Sequence, residues 1–254
     1  MIDEIIESFI ILLNSSEILG IVSLSILVSN SAVIIASLIG IPIGILLGLK
    51  KNKSSSFTIS ILNTGMGLPP VFVGLVVYLM LYRQGPLGNF EILFTPIAMI
   101  IAQSILTVPI IIGITRSTIL DLPKALPEMI ESMGGTKFQK LWILFREARS
   151  GIIIAIIVAL GRAFSEVGAI LIVGGNIRFS TRVLTTSIIT EIGQGNRGMA
   201  VTLGLILLII SYTLVSFMTY FHLKSSSFHS MCHFHYQLLI QFHFLHQKIT
   251  SLFD

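Results

Sequence analysis

Charge is scarce in this sequence. Only 11% of its 254 residues are Asp, Glu, Lys or Arg, against 54% hydrophobic, and the mean hydropathy is +0.93. A water-soluble domain needs a more polar shell, so that class is excluded. Cysteine is nearly absent: Cys232 stands alone, so no internal disulfide can form. The period-two alternation of membrane β-strands is missing as well, which argues against a barrel. No G-x-x-x-x-G-K-[ST] phosphate loop occurs, so the chain carries no nucleotide-hydrolysing site of that kind. H-E-x-x-H is also absent, and a Ser–His pair would need a tail histidine to reach a membrane serine, which disfavours an intramembrane enzyme. The opening "MIDEIIESF" carries Asp3, Glu4 and Glu7 where a secretory signal carries Lys or Arg, so it is expected to stay uncleaved.

Long apolar runs are what the sequence does have. Five of them, near residues 18–49, 57–82, 94–114, 152–173 and 199–221, reach the ~20 residues a helix needs to cross a ~30 Å hydrocarbon core. The fold class is therefore all-α, a polytopic membrane protein of about five spans. Before them, residues 1–17 place Ile, Phe and Leu at 2, 5, 6, 9, 10 and 13 opposite three acids, the pattern of a helix lying at the membrane surface. "SSE" at 15–17 supplies a cap for the first span, and Pro42 with Gly40 and Gly44 is expected to bend its far end. In the second, "NTGMGLPPVFVG" sets Pro69 beside Pro70, which removes two backbone donors and restricts Leu68, so a uniform helix is not expected.

Basic residues decide the orientation, because Lys and Arg are retained on the cytoplasmic side. Lys50, Lys51, Lys53, Arg116, Lys124, Lys137, Lys140, Arg146, Arg149 and Lys224 all fall on one face if the N-terminus is outside, whereas the other face holds Arg83, Arg178, Arg182 and Arg197. The net charge of +4 is thus explained by topology, and without aromatic interleaving no nucleic-acid partner is expected.

One cytoplasmic segment, residues 121–150, is charged and amphipathic where its neighbours are apolar. Gly134-Gly135 can end one short helix in a left-handed turn, and "TKFQ" from Thr136 has capping-box spacing to open another. Leu126, Met129, Ile130 and Met133 form an apolar stripe, with Glu128 and Glu131 facing away. An amphipathic loop resting on the bilayer is the plainer reading of such a pattern.

"EMIESMGG" followed by "WILFREARSGI" resembles the coupling loop of binding-protein-dependent ABC transporter permeases, whose core is Glu-Ala-Ala-x-x-x-Gly. Glu128 and Gly134 match its two best-defined positions. Met129 and Ile130 replace the alanines, and Phe145-Arg146 stand where Leu-Pro is usual. "MGLPPVFVGLVVYLMLYRQGPLG", "LFTPIAMIIAQSILTVPIIIGITRS" and "GRAFSEVGAILIVGGNIRFSTRVLTTSIITEIGQG" extend the likeness over residues 20–222, toward the tungstate-type branch near the molybdate permeases. The resemblance implies a permease domain over 18–222 that works as a homodimer in the cell membrane. It also implies a cytoplasmic ATPase partner that uses ATP and Mg, an external substrate-binding protein, and no cofactor on this chain. Glu128, Met129, Ile130, Met133, Gly134 and Gly135 would then carry the coupling to the ATPase. An ion-coupled secondary transporter or channel is the competing reading, weakened by the lack of an inverted repeat.

Polar groups inside the apolar runs are the candidate pathway or gating residues. Arg162 and Glu166 stand four apart in "GRAFSEVG", where pairing offsets part of the ~2.5–3.5 kcal/mol that an unpaired mid-membrane charge costs. They suit either a buried brace or a gate. Asn63 and Gln103 suit interhelical hydrogen bonds or pore contacts. Arg178, Arg182 and Arg197 gather on the outer loop, where positive charge attracts an anion or meets a binding protein. "VLTTSIITEIG" between them suits a short re-entrant or surface helix. Residues 223–254 form a separate tail with five of the six histidines and the only cysteine. His229, Cys232, His233 and His235 match no ordinary zinc-finger spacing, and no metal site is expected.

Overall fold

The computed structural model describes residues 16–49, 56–123 and 125–220, with no strand among them. Residues 1–15 of the expected surface helix over 1–17, the Lys50, Lys51 and Lys53 cluster, Lys124 and the histidine-rich tail lie outside the described residues, and residues 16 and 17 belong to the first long helix. Residues up to Val215 belong to one compact unit, and a second begins at Ser216.

Helix α1 runs unbroken over Ser16–Leu49 with Pro42 inside it. At 1.5 Å per residue its length is about 50 Å, more than the hydrocarbon core requires, so it must tilt or protrude. The glycines near Pro42 do not interrupt this helix. A Cβ on Gly44 would lie 2.7 Å from Thr115 Cβ and 2.9 Å from the Ile112 carbonyl, and one on Gly48 would lie 2.6 Å from Ile119 Cγ2. These positions let α1 press directly on α4, Pro96–Asp121, as small residues do between membrane helices. The same contact explains why α4 continues seven residues past the expected end at 114. Ile111, Ile112, Thr115 and Ile119 form one buried face that carries on beneath Arg116.

The second apolar run folds as two helices, α2 over Ser56–Met66 and α3 over Pro70–Leu81, with axes 97° apart. Pro69 and Pro70 have no N–H to continue α2, and the chain turns instead through Gly67 N–H to Thr64 O at 3.1 Å, with Pro70 at the first position of α3. Two short helices follow α4: α5, Ala125–Ser132, and α6, Lys137–Glu147. The fourth run is also divided, into α7, Arg149–Phe164, and α8, Gly168–Gly174, bent by 60°. Helix α9, Leu184–Gly193, buries its first turn, Leu184, Thr185, Thr186 and Ser187, and exposes Ile189 and Ile192 further on. Helix α10 covers Arg197–Tyr220.

Helices α1, α4 and α10 are long and apolar enough to cross a membrane, and the two bent pairs bring the number to five if each pair is one span. Buried clusters hold the described bundle together. Val28, Val73, Val77, Met99, Ala169 and Val173 join α1, α3, α4 and α8. Ile45, Ile119, Leu144, Ala148 and Ile152 fasten α6 to the ends of α1, α4 and α7. Ile21, Leu184 and Leu203 join α1, α9 and α10. Large apolar side chains such as Leu38, Phe72, Leu79 and Leu208 remain exposed, as a lipid-facing or partner-facing surface requires.

Candidate functional site

Helices α5 and α6 form a hairpin. Gly134 has φ +74, and the helix end closes with Gly134 N–H to Glu131 O and Gly135 N–H to Ile130 O, both at 3.0 Å. A Cβ on Gly135 would lie 2.7 Å from Ile130 Cγ2, so both glycines have a geometric reason. The expected capping box forms: Thr136 N–H donates to Gln139 Oε1 at 2.8 Å, and Gln139 N–H donates to Thr136 Oγ1 at 3.3 Å. Lys140 Nζ bridges back to Glu131 Oε1 at 2.5 Å.

The hairpin sorts its apolar residues by direction. Ile130 is buried, and Leu126 packs beside buried Leu144 and Ala148. Met129 and Met133 instead face outward, 54% and 78% exposed, so the expected single stripe is split. The reason is local: Met133 follows the last helical residue, and Met129 sits a residue step away from the buried face. Phe138 at 78%, Trp142 at 59% and Phe145 at 37% exposure join them, with the Trp142 and Phe145 rings stacked at 5.8 Å. Glu128 is exposed on the same hairpin. The three aromatics were not among the sequence candidates. Their signal is their spacing around Leu141, Leu144 and Ala148, which take the inward face.

The α7–α8 break is a polar knot. Gln103 Nε2 donates to the Ala163 carbonyl at 2.8 Å, which satisfies one of the carbonyls freed at the end of α7. Glu166 does not share a helix with Arg162. It lies in the break, 6% exposed, and its Oε1 accepts from the N–H groups of Val167 at 3.1 Å and Ala169 at 3.2 Å, capping α8. Thr185 of α9 donates to the Glu166 carbonyl at 3.1 Å. Arg162 stays partly exposed with Nε 3.9 Å from Glu166 Oε2, a loose pair. The break thus gathers Gln103, Arg162 and Glu166, whereas Asn63 stands exposed on α2 and hydrogen-bonds to none of them.

A third cluster sits where α1 begins. Gly175, Asn176 and Phe179 all have positive φ, and the turn between α8 and α9 is tied by Thr181 Oγ1 to Gly174 O at 2.5 Å and Asn176 Nδ2 to Thr190 Oγ1 at 2.6 Å. This turn presents Arg178 to Glu17 as a two-pronged bond, Nε to Oε1 at 2.7 Å and Nη2 to Oε2 at 2.5 Å. Those bonds raise the Arg178 pKa above its ordinary value and hold the Glu17 carboxyl below its own. Arg182 Nη1 lies 3.9 Å from Glu17 Oε1, and Arg197 is exposed at the start of α10. Glu17, expected only as part of a helix cap, is the acid that organises the arginines.

Residues 40–226 match the family described as binding-protein-dependent transport system inner membrane component. The chain belongs to this family. It is a multi-pass ABC importer permease, and its relatives agree. It is 44% identical over 201 residues to a probable anion ABC transporter permease of Haloferax volcanii, covering 77% of this chain and 87% of the relative. It is 39% identical over 198 residues to the tungstate uptake system permease protein TupB of Peptoclostridium acidaminophilum, covering 78% and 87%. The permease also shares the fold of a bacterial ABC transporter involved in the import of the acidic polysaccharide alginate. That match has a TM-score of 0.68 at 19% identity and covers 86% of this chain and 83% of the solved one.

Proposed function

We propose that this permease moves a tetrahedral oxyanion, tungstate or the related molybdate, across the cell membrane, and that the α5–α6 hairpin is its coupling element. The observation that carries the coupling reading is the outward patch of Met129, Met133, Phe138 and Trp142 on an otherwise polar hairpin whose inner side, Ile130 and Leu144, is locked to the bundle. Exposed methionine and aromatic side chains on a rigid support suit a protein groove better than open water. The occupant of the patch is the cytoplasmic ATPase, which binds ATP and Mg, while this chain contributes no catalytic group. Movement of the groove then passes through the Ile45–Ile119–Leu144–Ile152 cluster to α1, α4 and α7. The oxyanion reading is supported by the anion and tungstate relatives.

The rest of the proposed assembly follows from the same reading. Residues 18–222 form the permease domain, the 121–150 segment faces the cytoplasm, the N-terminus lies outside, and two copies surround the pathway. An external binding protein delivers the anion to the side of Arg178, Arg182 and Arg197. Gln103, Arg162 and Glu166 hold the bend in the fourth span that the pathway borders, with Asn63 on α2 as a further pathway residue.

The patch is tested by replacing Met129, Met133 and Trp142 together with Ala. These side chains are exposed and support nothing inside, so the melting temperature in detergent stays unchanged. Co-purification of the ATPase falls about tenfold or more, as expected when apolar anchors at an interface centre are truncated. Retained co-purification at wild-type levels would remove the hairpin from the interface.

A further inference from the structure

Two cavities flank the start of α1. One, of about 450 Å³, is bordered by Glu17, Arg178, Arg182, Ser187, Gln194 and Asn196. The other, of about 300 Å³, shares Glu17 and Arg182 with it. Two polar groups beside the larger cavity are not matched. Arg182 Nε and Ser187 Oγ are buried and make no hydrogen bond, although both residues border the larger cavity. Leaving such groups without partners is costly unless something supplies an acceptor.

Glu17 shows what kind of acceptor fits. Its two oxygens occupy the Arg178 fork, with Oε1 also within 3.9 Å of Arg182 Nη1. The guanidinium fork that accepts a carboxylate accepts the edge of a tetrahedral oxyanion by the same paired hydrogen bonds. Glu17 reaches the arginines from α1, an element separate from the turn that carries them, so it can leave without dismantling the turn.

We infer that Arg178, Arg182 and Ser187 form an entry site for a free, doubly charged tetrahedral oxyanion, at which the Glu17 carboxylate is a tethered stand-in that the arriving anion displaces. The inference rests on the oxyanion reading above and adds a receptor-independent binding step to it. Displacement also unties α1 from the α8–α9 turn, so occupancy of the site loosens the outer end of the first helix.

The full chain, purified in detergent without receptor or ATPase, is titrated with sodium tungstate by calorimetry. Glu17→Gln removes the competing charge and tightens binding about tenfold relative to the wild type. Arg182→Met in the Glu17→Gln background abolishes the heat, and Ser187→Ala, a smaller change, weakens binding while leaving the melting temperature in place. Binding no tighter in Glu17→Gln, or undiminished in both Arg182→Met and Ser187→Ala, overturns the site. So does retention of phosphatidylglycerol, in place of tungstate binding, in an Arg182-dependent manner, because the ligand would then be a lipid phosphate. The two readings fail separately. A complete transporter that imports tungstate while these titrations are silent loses only the entry site. One that imports no oxyanion while the titrations behave as stated loses the transport reading.

Discussion

Glu166 shows how far a single residue can be read in advance. Its four-residue spacing from Arg162 suggests an ion pair on one helix face, yet its main partners are two backbone N–H groups, and the pair with Arg162 is a loose 3.9 Å. The spacing rule presumes that the helix continues. Here Gln103 and Thr185, 60 and 19 residues away in sequence, satisfy backbone carbonyls at the break and make stopping affordable. Distant partners of that kind leave no local signal. Glu166→Ala strands the Val167 and Ala169 N–H groups and destabilises the fold by about 1–3 kcal/mol, whereas Glu166→Gln keeps an amide oxygen in place and loses less. Thermal unfolding of both variants in detergent checks the order. If Glu166→Gln melts like wild type yet transports poorly, the charge serves the pathway as well as the cap; equal melting of Glu166→Ala and wild type contradicts the capping role. Glu17 was hidden for a related reason, since its partner Arg178 is 161 residues distant.

Among the elements, those governed by local chemistry were legible. The break before α3 follows from adjacent prolines, and the α5–α6 hairpin from Gly134-Gly135 and the Thr136–Gln139 box. The packing of α1 was not. Gly40 and Gly44 are expected to bend the helix beside Pro42; with Gly48 they are also the surface on which α4 lies, and only the partner helix reveals that. The end of α4 was misplaced because hydropathy falls at Arg116 while the buried face continues to Ile119. The hairpin's own test is Thr136→Ala. Removing the cap costs α6 about 1 kcal/mol, so the amides of its first turn exchange hydrogen several times faster while those of α7 do not change. Uniform exchange across both helices would show that the tertiary contacts of Leu144 and Ala148, and not the cap, hold α6 in place.

At the scale of the whole molecule, five apolar runs and a one-sided distribution of Lys and Arg were enough to anticipate a helical membrane protein. Membrane crossing imposes its length and polarity rules on every span alike. The described bundle separates three regions along its helices: the arginine cluster where α1 begins, the polar knot between α7 and α8, and the outward patch on α5–α6. In the proposed function the anion enters at the first of these and mechanical work arrives at the third. The decisive measurement is tungstate uptake into proteoliposomes holding this permease and its external receptor, with and without the cytoplasmic ATPase. The account predicts uptake only when both the ATPase and ATP are present, and none with an ion gradient alone. Uptake at the full rate without the ATPase would contradict it.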